Sequence, residues 1–264
     1  MSLRVVLAVL ASLYLFAANA RAEVAADHYF WRPASEDTVA RPWAVLLPGS
    51  SGMSILGDDE HYFRAAAWLN QRGVDALIID YHGAARFVPG AEDGSPGDRM
   101  AAIVADALTI ERAAGRARSE CPGVVIGWSL GAEGAWTLAA LPDSGFRAVA
   151  MYYPTVRRPQ PYGNALPVLV LQGTADNVTP ESDLRAFVAA TRAESAALDV
   201  VTFAGASHGF DVPSLDPART MRFPPLIGQR VTFGYNAEAA ARASSTLESF
   251  LRREGMIDGT CAGR

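Results

Sequence analysis

The 264-residue chain contains no lysine: all 23 of its basic side chains are arginine. A Schiff-base enzyme needs a free amine, and a phosphate-binding G-x-x-x-x-G-K loop needs its lysine. Pyridoxal chemistry and P-loop chemistry are therefore excluded. The net charge is −5 and no basic run occurs, so the electrostatic footprint of a nucleic-acid binder is missing. Histidine is scarce, at four residues. His61 and His82 lack metal-ligand spacing, and neither a metal nor another cofactor is expected. Cysteine is limited to Cys121 and Cys261. Neither sits in a turn with a histidine close by in sequence, which argues against thiol catalysis. A disulfide between them would suit an oxidising compartment, but sequence alone leaves it open.

What is present begins with a removable segment. "MSLRVVLAVLASLYLFAANARA" has Arg4 near its start, an apolar run from Val5 to Ala18, and overlapping A-x-A sites ending at Ala20 and Ala22. This is the layout of a secretory signal peptide, and the run is shorter than the ~20 residues needed to span a bilayer. Cleavage is expected after Ala22, with Ala20 as the alternative. Losing Arg4 and Arg21 takes the net charge from −5 to −7. Residues 23–264 then form a single α/β domain, exported to the periplasm or secreted. It is expected to be free of membrane after cleavage, and a monomer or small homo-oligomer.

Along that domain, short apolar runs alternate with longer segments of helical period. "WAVLLP", "DALIID", "GVVIGW", "AVAMYY", "PVLVLQ" and "LDVVTF" are continuous rather than alternating, as in strands buried on both faces. Between them lie a segment closing on Gly73, another over 97–118, one opening with Thr179 as N-cap and Pro180 at the first position, and a last one ending at Gly255. Strand and helix in alternation predict a mostly parallel, doubly wound sheet.

"VVIGWSLGAEGAW" carries the first specific chemistry. G-x-S-x-G between a strand and a helix puts a serine on a tight turn. Gly127 and Gly131 are needed where a Cβ would meet neighbouring backbone. Ser129 is a poor nucleophile without a base, and in this arrangement an acid and then a histidine follow it in the chain. Only His208 lies downstream, in "FAGASHGFD" after a strand. Among the carboxylates between them, Asp176 alone sits just past a strand end, in "PVLVLQGTADNVTP". Its expected role is to fix the imidazole tautomer and stabilise the imidazolium. Oxyanion donors are expected from the backbone N–H groups of Leu130, at the start of its helix, and Ser50, in "LLPGSSGMS".

With these pieces in place the chain resembles the dienelactone hydrolase family of α/β-hydrolases. "GDDEHYFRAAAWLNQRGVDALIIDYHG", "VIGWSLGAEGA", "VLVLQGTADNVTP", "GASHGFD" and "GYNAEAAARASSTLESFL" carry the likeness, over residues 42 to 254 or so. The resemblance implies a sheet of about eight strands and hydrolysis of small esters or lactones through an acyl-enzyme. Members acting on dienelactone use a cysteine where this chain has Ser129, which favours ordinary serine-ester chemistry here. The span from 211 to 234 is long and carries Arg219, Arg222 and Arg230. One of these, Arg222 above all, or Arg86 after "IIDYHGAA", is a candidate for binding a substrate carboxylate. Trp128 is a candidate wall of the cleft. No large cap fits between Tyr153 and Leu166, so a small soluble substrate is expected. Two alternatives stand beside this reading: a peptidase or acyl-amino-acid hydrolase of the same fold, and a catalytically silent binding protein on the same scaffold.

Overall fold

The computed structural model of the protein describes residues 27–37, 39–141, 144–156, 166–191, 197–222, 229–259 and 261. The signal segment expected over 1–22 lies outside them. All six strands expected from the apolar runs form: β2 (Trp43–Leu47), β3 (Asp75–Ile79), β4 (Gly123–Trp128), β5 (Phe146–Tyr152), β6 (Pro167–Gly173) and β7 (Ala197–Phe203). A seventh, β1 (Tyr29–Arg32), precedes them and pairs antiparallel with β3. The sheet runs β1-β3-β2-β4-β5-β6-β7, with every pair after the first parallel. A separate ribbon joins β8 (Arg219–Arg222) to β9 (Arg230–Phe233).

The central strands β2 and β4 are buried at every position, as a doubly covered sheet requires. Strand β7 departs from that expectation. It forms the far edge of the sheet, and only Phe203 of its residues is buried. Two apolar layers flank the sheet. One joins Val45, Leu47 and Val125 to Met100, Val104 and Trp136; the other joins Leu46 and Ile126 to Tyr62, Leu247 and Phe250.

The helices follow β strands in turn: α1 (His61–Asn70), the single turn α2 (Tyr81–Ala84), α3 (Pro96–Ala113), α4 (Leu130–Ala140), α5 (Glu181–Thr191) and α6 (Ala237–Arg253). Ser95 and Asp98 close a capping box at the start of α3, and Asn236 caps α6 through Ala239 N. Thr179 lies two residues ahead of Glu181, the first residue of α5, where the sequence predicts a spacing of one. Its hydroxyl turns back to Asp176 Oδ2 at 2.9 Å and the Tyr153 carbonyl at 3.2 Å.

Cys121 and Cys261 are joined in a disulfide that closes a sequence separation of 140 residues. The bond ties the C-terminal tail to the turn ahead of β4. Strand order reverses between β2 and β4, since β3 lies on one side of β2 and β4 on the other. Open α/β sheets place their sites at such a switch, beyond the carboxyl ends of the strands.

Candidate active site

Ser129 occupies that position, between the last residue of β4 and the first of α4. Its φ of 51° and ψ of −114° are strained for a residue with a side chain. The turn is held by Ser129 N donating to the Tyr152 carbonyl at 3.0 Å and by its own carbonyl accepting from Thr155 N at 3.0 Å. The flanking glycines are obligatory here. A Cβ on Gly127 would lie 2.5 Å from the Gly131 carbonyl oxygen, and one on Gly131 would lie 2.1 Å from that of Leu47. Only glycine lets α4 press so closely on the end of β2.

The structure brings the three distant residues of the expected triad together. His208 Nε2 is 3.1 Å from Ser129 Oγ, and His208 Nδ1 is 2.8 Å from Asp176 Oδ2. All three are buried. Asp176 Oδ1 accepts from Val178 N at 2.8 Å and Thr179 N at 2.9 Å; Oδ2 accepts from the Thr179 hydroxyl and, at 3.3 Å, from Gln172 Nε2. Burial alone would push this carboxyl up. The neighbouring imidazole and the hydrogen bonds outweigh it and hold the carboxyl below its usual range.

Ser50 lies in the loop after β2, and Leu130 opens α4 beside the serine. As the first helical residue, Leu130 has an N–H with no carbonyl a turn behind it. The Ser50 loop is clamped by groups that sequence reading did not assign. Gly49 N donates to Tyr62 Oη at 2.8 Å, Tyr81 Oη donates to the Gly49 carbonyl at 2.8 Å, and His82 Nε2 sits 3.2 Å from the Ser50 carbonyl. Tyr153, another unassigned residue, adopts a φ of 36° and lays its ring 4.4 Å from that of His208.

The triad opens on a pocket of ≈ 70 Å³. Ser50, Ile55, Leu56, Val178 and Phe233 line it, and Trp128 forms part of its wall. The indole is 3% exposed, and its Nε1 donates to Asp211 Oδ2 at 2.8 Å. The long span after His208 returns to the site: β9 bridges to His208, and Phe233 packs edge-on to the imidazole at 5.4 Å. Arg86 and Arg222 are not brought to the pocket. Arg86 lies over the Phe87 ring at 5.4 Å, and Arg222 is exposed at the end of β8. No described residues form a group of three or more His, Cys, Asp or Glu able to hold a metal.

Fold, switch-point position and elbow together define an α/β-hydrolase. The chain belongs to the dienelactone hydrolase family, whose sequence pattern it matches over residues 66–255. No curated protein matches it significantly by sequence. Among solved structures it is similar to an esterase of the planctomycete Thermogutta terrifontis with propionate bound. The TM-score is 0.61 at 18% identity, covering 88% of this chain and 91% of that one. The same organism's esterase 2, phosphoramylated by tabun, gives a TM-score of 0.60 at 18% identity over 88% and 91% of the two chains. At this identity the likeness speaks for the fold.

Proposed function

We propose that the protein is an exported serine hydrolase that cleaves small, uncharged carboxylic esters or lactones. One observation carries the reading: an unbroken hydrogen-bonded line from Asp176 through His208 to Ser129, at the head of a small apolar pocket. In the reaction Ser129 Oγ attacks the ester carbonyl while His208 Nε2 takes its proton. Asp176 keeps Nδ1 protonated and stabilises the imidazolium. The N–H groups of Ser50 and Leu130 receive the oxyanion. Collapse of the tetrahedral species expels the alcohol, which takes the proton from Nε2 and leaves an acyl-Ser129. Water, deprotonated by the same nitrogen, attacks the acyl carbonyl, and a second collapse releases the acid and returns the proton to Ser129.

The size of the pocket sets the acyl group. A cavity of about 150 Å³ takes a benzene-sized guest, so ≈ 70 Å³ favours an acyl chain of a few carbons. Among the described residues no arginine lines it, and an acyl group bearing a carboxylate would meet no fixed cation from them there. Export is supported by the N-terminal segment and by the disulfide, which belongs to an oxidising compartment. We read the exported enzyme as a monomer or small homo-oligomer that needs no nucleic acid, membrane or cofactor.

A fluorophosphonate probe on the native chain and on Ser129→Ala tests the reading, followed by turnover of p-nitrophenyl acetate, its longer-chain esters and a dipeptide. Labelling of the native chain alone, with short esters turned over fastest, is expected. Absence of labelling would remove the serine-hydrolase assignment, and dipeptide turnover without ester turnover would replace it by a peptidase. N-terminal sequencing of exported protein should begin at Glu23, or at Arg21 if cleavage follows Ala20.

A further inference from the structure

A second cavity of ≈ 240 Å³ shares Trp128 with the first and is lined by residues of α1 and α6. Three aromatic side chains line it: Trp68, Trp128 and Tyr152. Its polar wall is the Asp211 carboxylate, with the His61 imidazole beside it. The Asp211 side chain is 13% exposed, so it is desolvated yet still reachable. Its oxygens accept from Trp128 Nε1 and Tyr153 Oη, each at 2.8 Å, and both donors are neutral. No arginine pairs with it among the described residues.

The one ion-pair partner of Asp211 among the described residues is His61 Nε2 at 3.6 Å, too long for a hydrogen bond. Burial pushes the His61 pKa down, so this ring brings no positive charge. Its Nε2 has no hydrogen-bond partner. Tyr152 is 5% exposed and its ring stacks on that of Trp128 at 5.3 Å. Arg64 stands at the cavity wall, but Asp58 takes its charge. The balance is one anion without a cationic partner among the described residues, beside the Trp68 ring, which carries Arg72 over one face at 3.8 Å, and the stacked rings of Trp128 and Tyr152.

We propose that this cavity binds a small organic ammonium ion, its charge facing Asp211 and its alkyl groups against the aromatic rings. A carboxylate supplies the Coulomb attraction, and the ring faces add cation–π attraction that a neutral guest of equal shape does not receive. An anion would be repelled by Asp211. The volume is ample, since about 150 Å³ already holds a benzene-sized molecule.

Three probes of one shape and different charge test this directly: choline, 3,3-dimethyl-1-butanol and pivalate. Calorimetric titration of the full exported chain is expected to give saturable choline binding. It should be about tenfold or more tighter than binding of the neutral alcohol, with no binding of pivalate. Asp211→Asn should erase the preference for the cation. Ala240→Trp, which fills the cavity from α6, should abolish choline binding. No saturable choline binding, equal or tighter binding of the alcohol, or binding undiminished by Ala240→Trp would each overturn the proposal. If Asp211→Asn does not fold, the charge series on the native chain and the Ala240→Trp variant decide it.

Discussion

Two cavities share Trp128 as a wall, and each contains a buried histidine near an aspartate. In the front cavity His208 is bonded to Asp176 at 2.8 Å; in the rear one His61 stops 3.6 Å from Asp211. Residue types are the same and both imidazoles are buried; the Asp176 side chain is fully buried and that of Asp211 is 13% exposed, and the other donors differ. Asp176 is fed by backbone N–H groups and the Thr179 hydroxyl, and Oδ2 still has room for the imidazole. Asp211 has given its oxygens to an indole and a phenol. One arrangement orients a base against a serine. The other leaves a neutral imidazole and a carboxylate without a counter-ion. Proximity of histidine and aspartate is thus a poor guide to a triad, and the remaining hydrogen bonds decide its role.

The largest expected effects lie in the front pair. Ser129→Ala should lower kcat for p-nitrophenyl acetate by about a million-fold, and Asp176→Asn by about 10⁴-fold through the wrong imidazole tautomer. Asp211→Asn keeps an acceptor for one of its two donors and leaves the triad bonds in place. It should cost less than about a hundredfold, the loss typical of a modest displacement of reacting groups. Equal losses at Asp176 and Asp211, measured by steady-state kinetics, would erase the distinction between the two pairs.

Next comes the elbow that presents Ser129 to the front pair. Gly131→Ala puts a Cβ 2.1 Å from the Leu47 carbonyl oxygen, where backbone must move. Such overpacking costs about 3 kcal/mol or more, and Tm should fall by roughly 6–12 °C in a domain of this size. Gly255, unlike Gly131, has a positive φ, 72°, but no atom lies within 4 Å of its Cβ position. Gly255→Ala should therefore cost only about 1 kcal/mol, the strain of the left-handed backbone. Calorimetric melting of the two variants separates a site held by contact from one held by conformation.

The two pairs should also differ in pH window. Folding lowers the His61 pKa from 6.5, so below that value the unfolded chain binds a proton that the folded chain refuses. Stability is then lost as pH falls through 6.5 toward the folded value, with a slope of at most about 1.4 kcal/mol per pH unit. Asp176 is also lowered, but from 3.8, so its contribution is complete above 3.8 and disappears only as pH falls below it. Urea unfolding between pH 7 and 5 should show a shallower slope in His61→Leu than in the native chain. An unchanged slope would mean that His61 titrates alike in both states.

The front pair was legible in the sequence because its signals are local and ordered. A strand end, a G-x-S-x-G turn, one downstream histidine and one aspartate past a strand suffice to pick Ser129, His208 and Asp176. Six strands were readable for a similar reason, since burial on both faces writes continuous apolar runs. Strand β1 was not, because "YFWR" is short and lies at an edge. Thr179 looked like a helix cap because threonine before proline usually is one. Only the folded chain reveals that α5 starts at Glu181 and that the Thr179 hydroxyl donates to Asp176, three residues earlier. Tyr62, Tyr81, Tyr153 and Asp211 act across long sequence separations, with no spacing rule to mark them. The disulfide had the same difficulty, 140 residues apart.

The smallest expected effect tests the arginines. From sequence Arg222 was a candidate partner for a substrate carboxylate, because it follows His208 closely. In the fold it is exposed at the end of β8, away from the apolar lining around Ser129. A solvated guanidinium at such a place is screened within about 8 Å at physiological salt and holds a carboxylate weakly. Arg222→Ala should therefore change kcat/KM by less than about twofold for a neutral ester and for its carboxylate-bearing analogue alike, a change under about 0.4 kcal/mol. A loss confined to the charged ester would place a cation at the front cavity after all. The contrast of a neutral front and an anionic rear would then have to be redrawn.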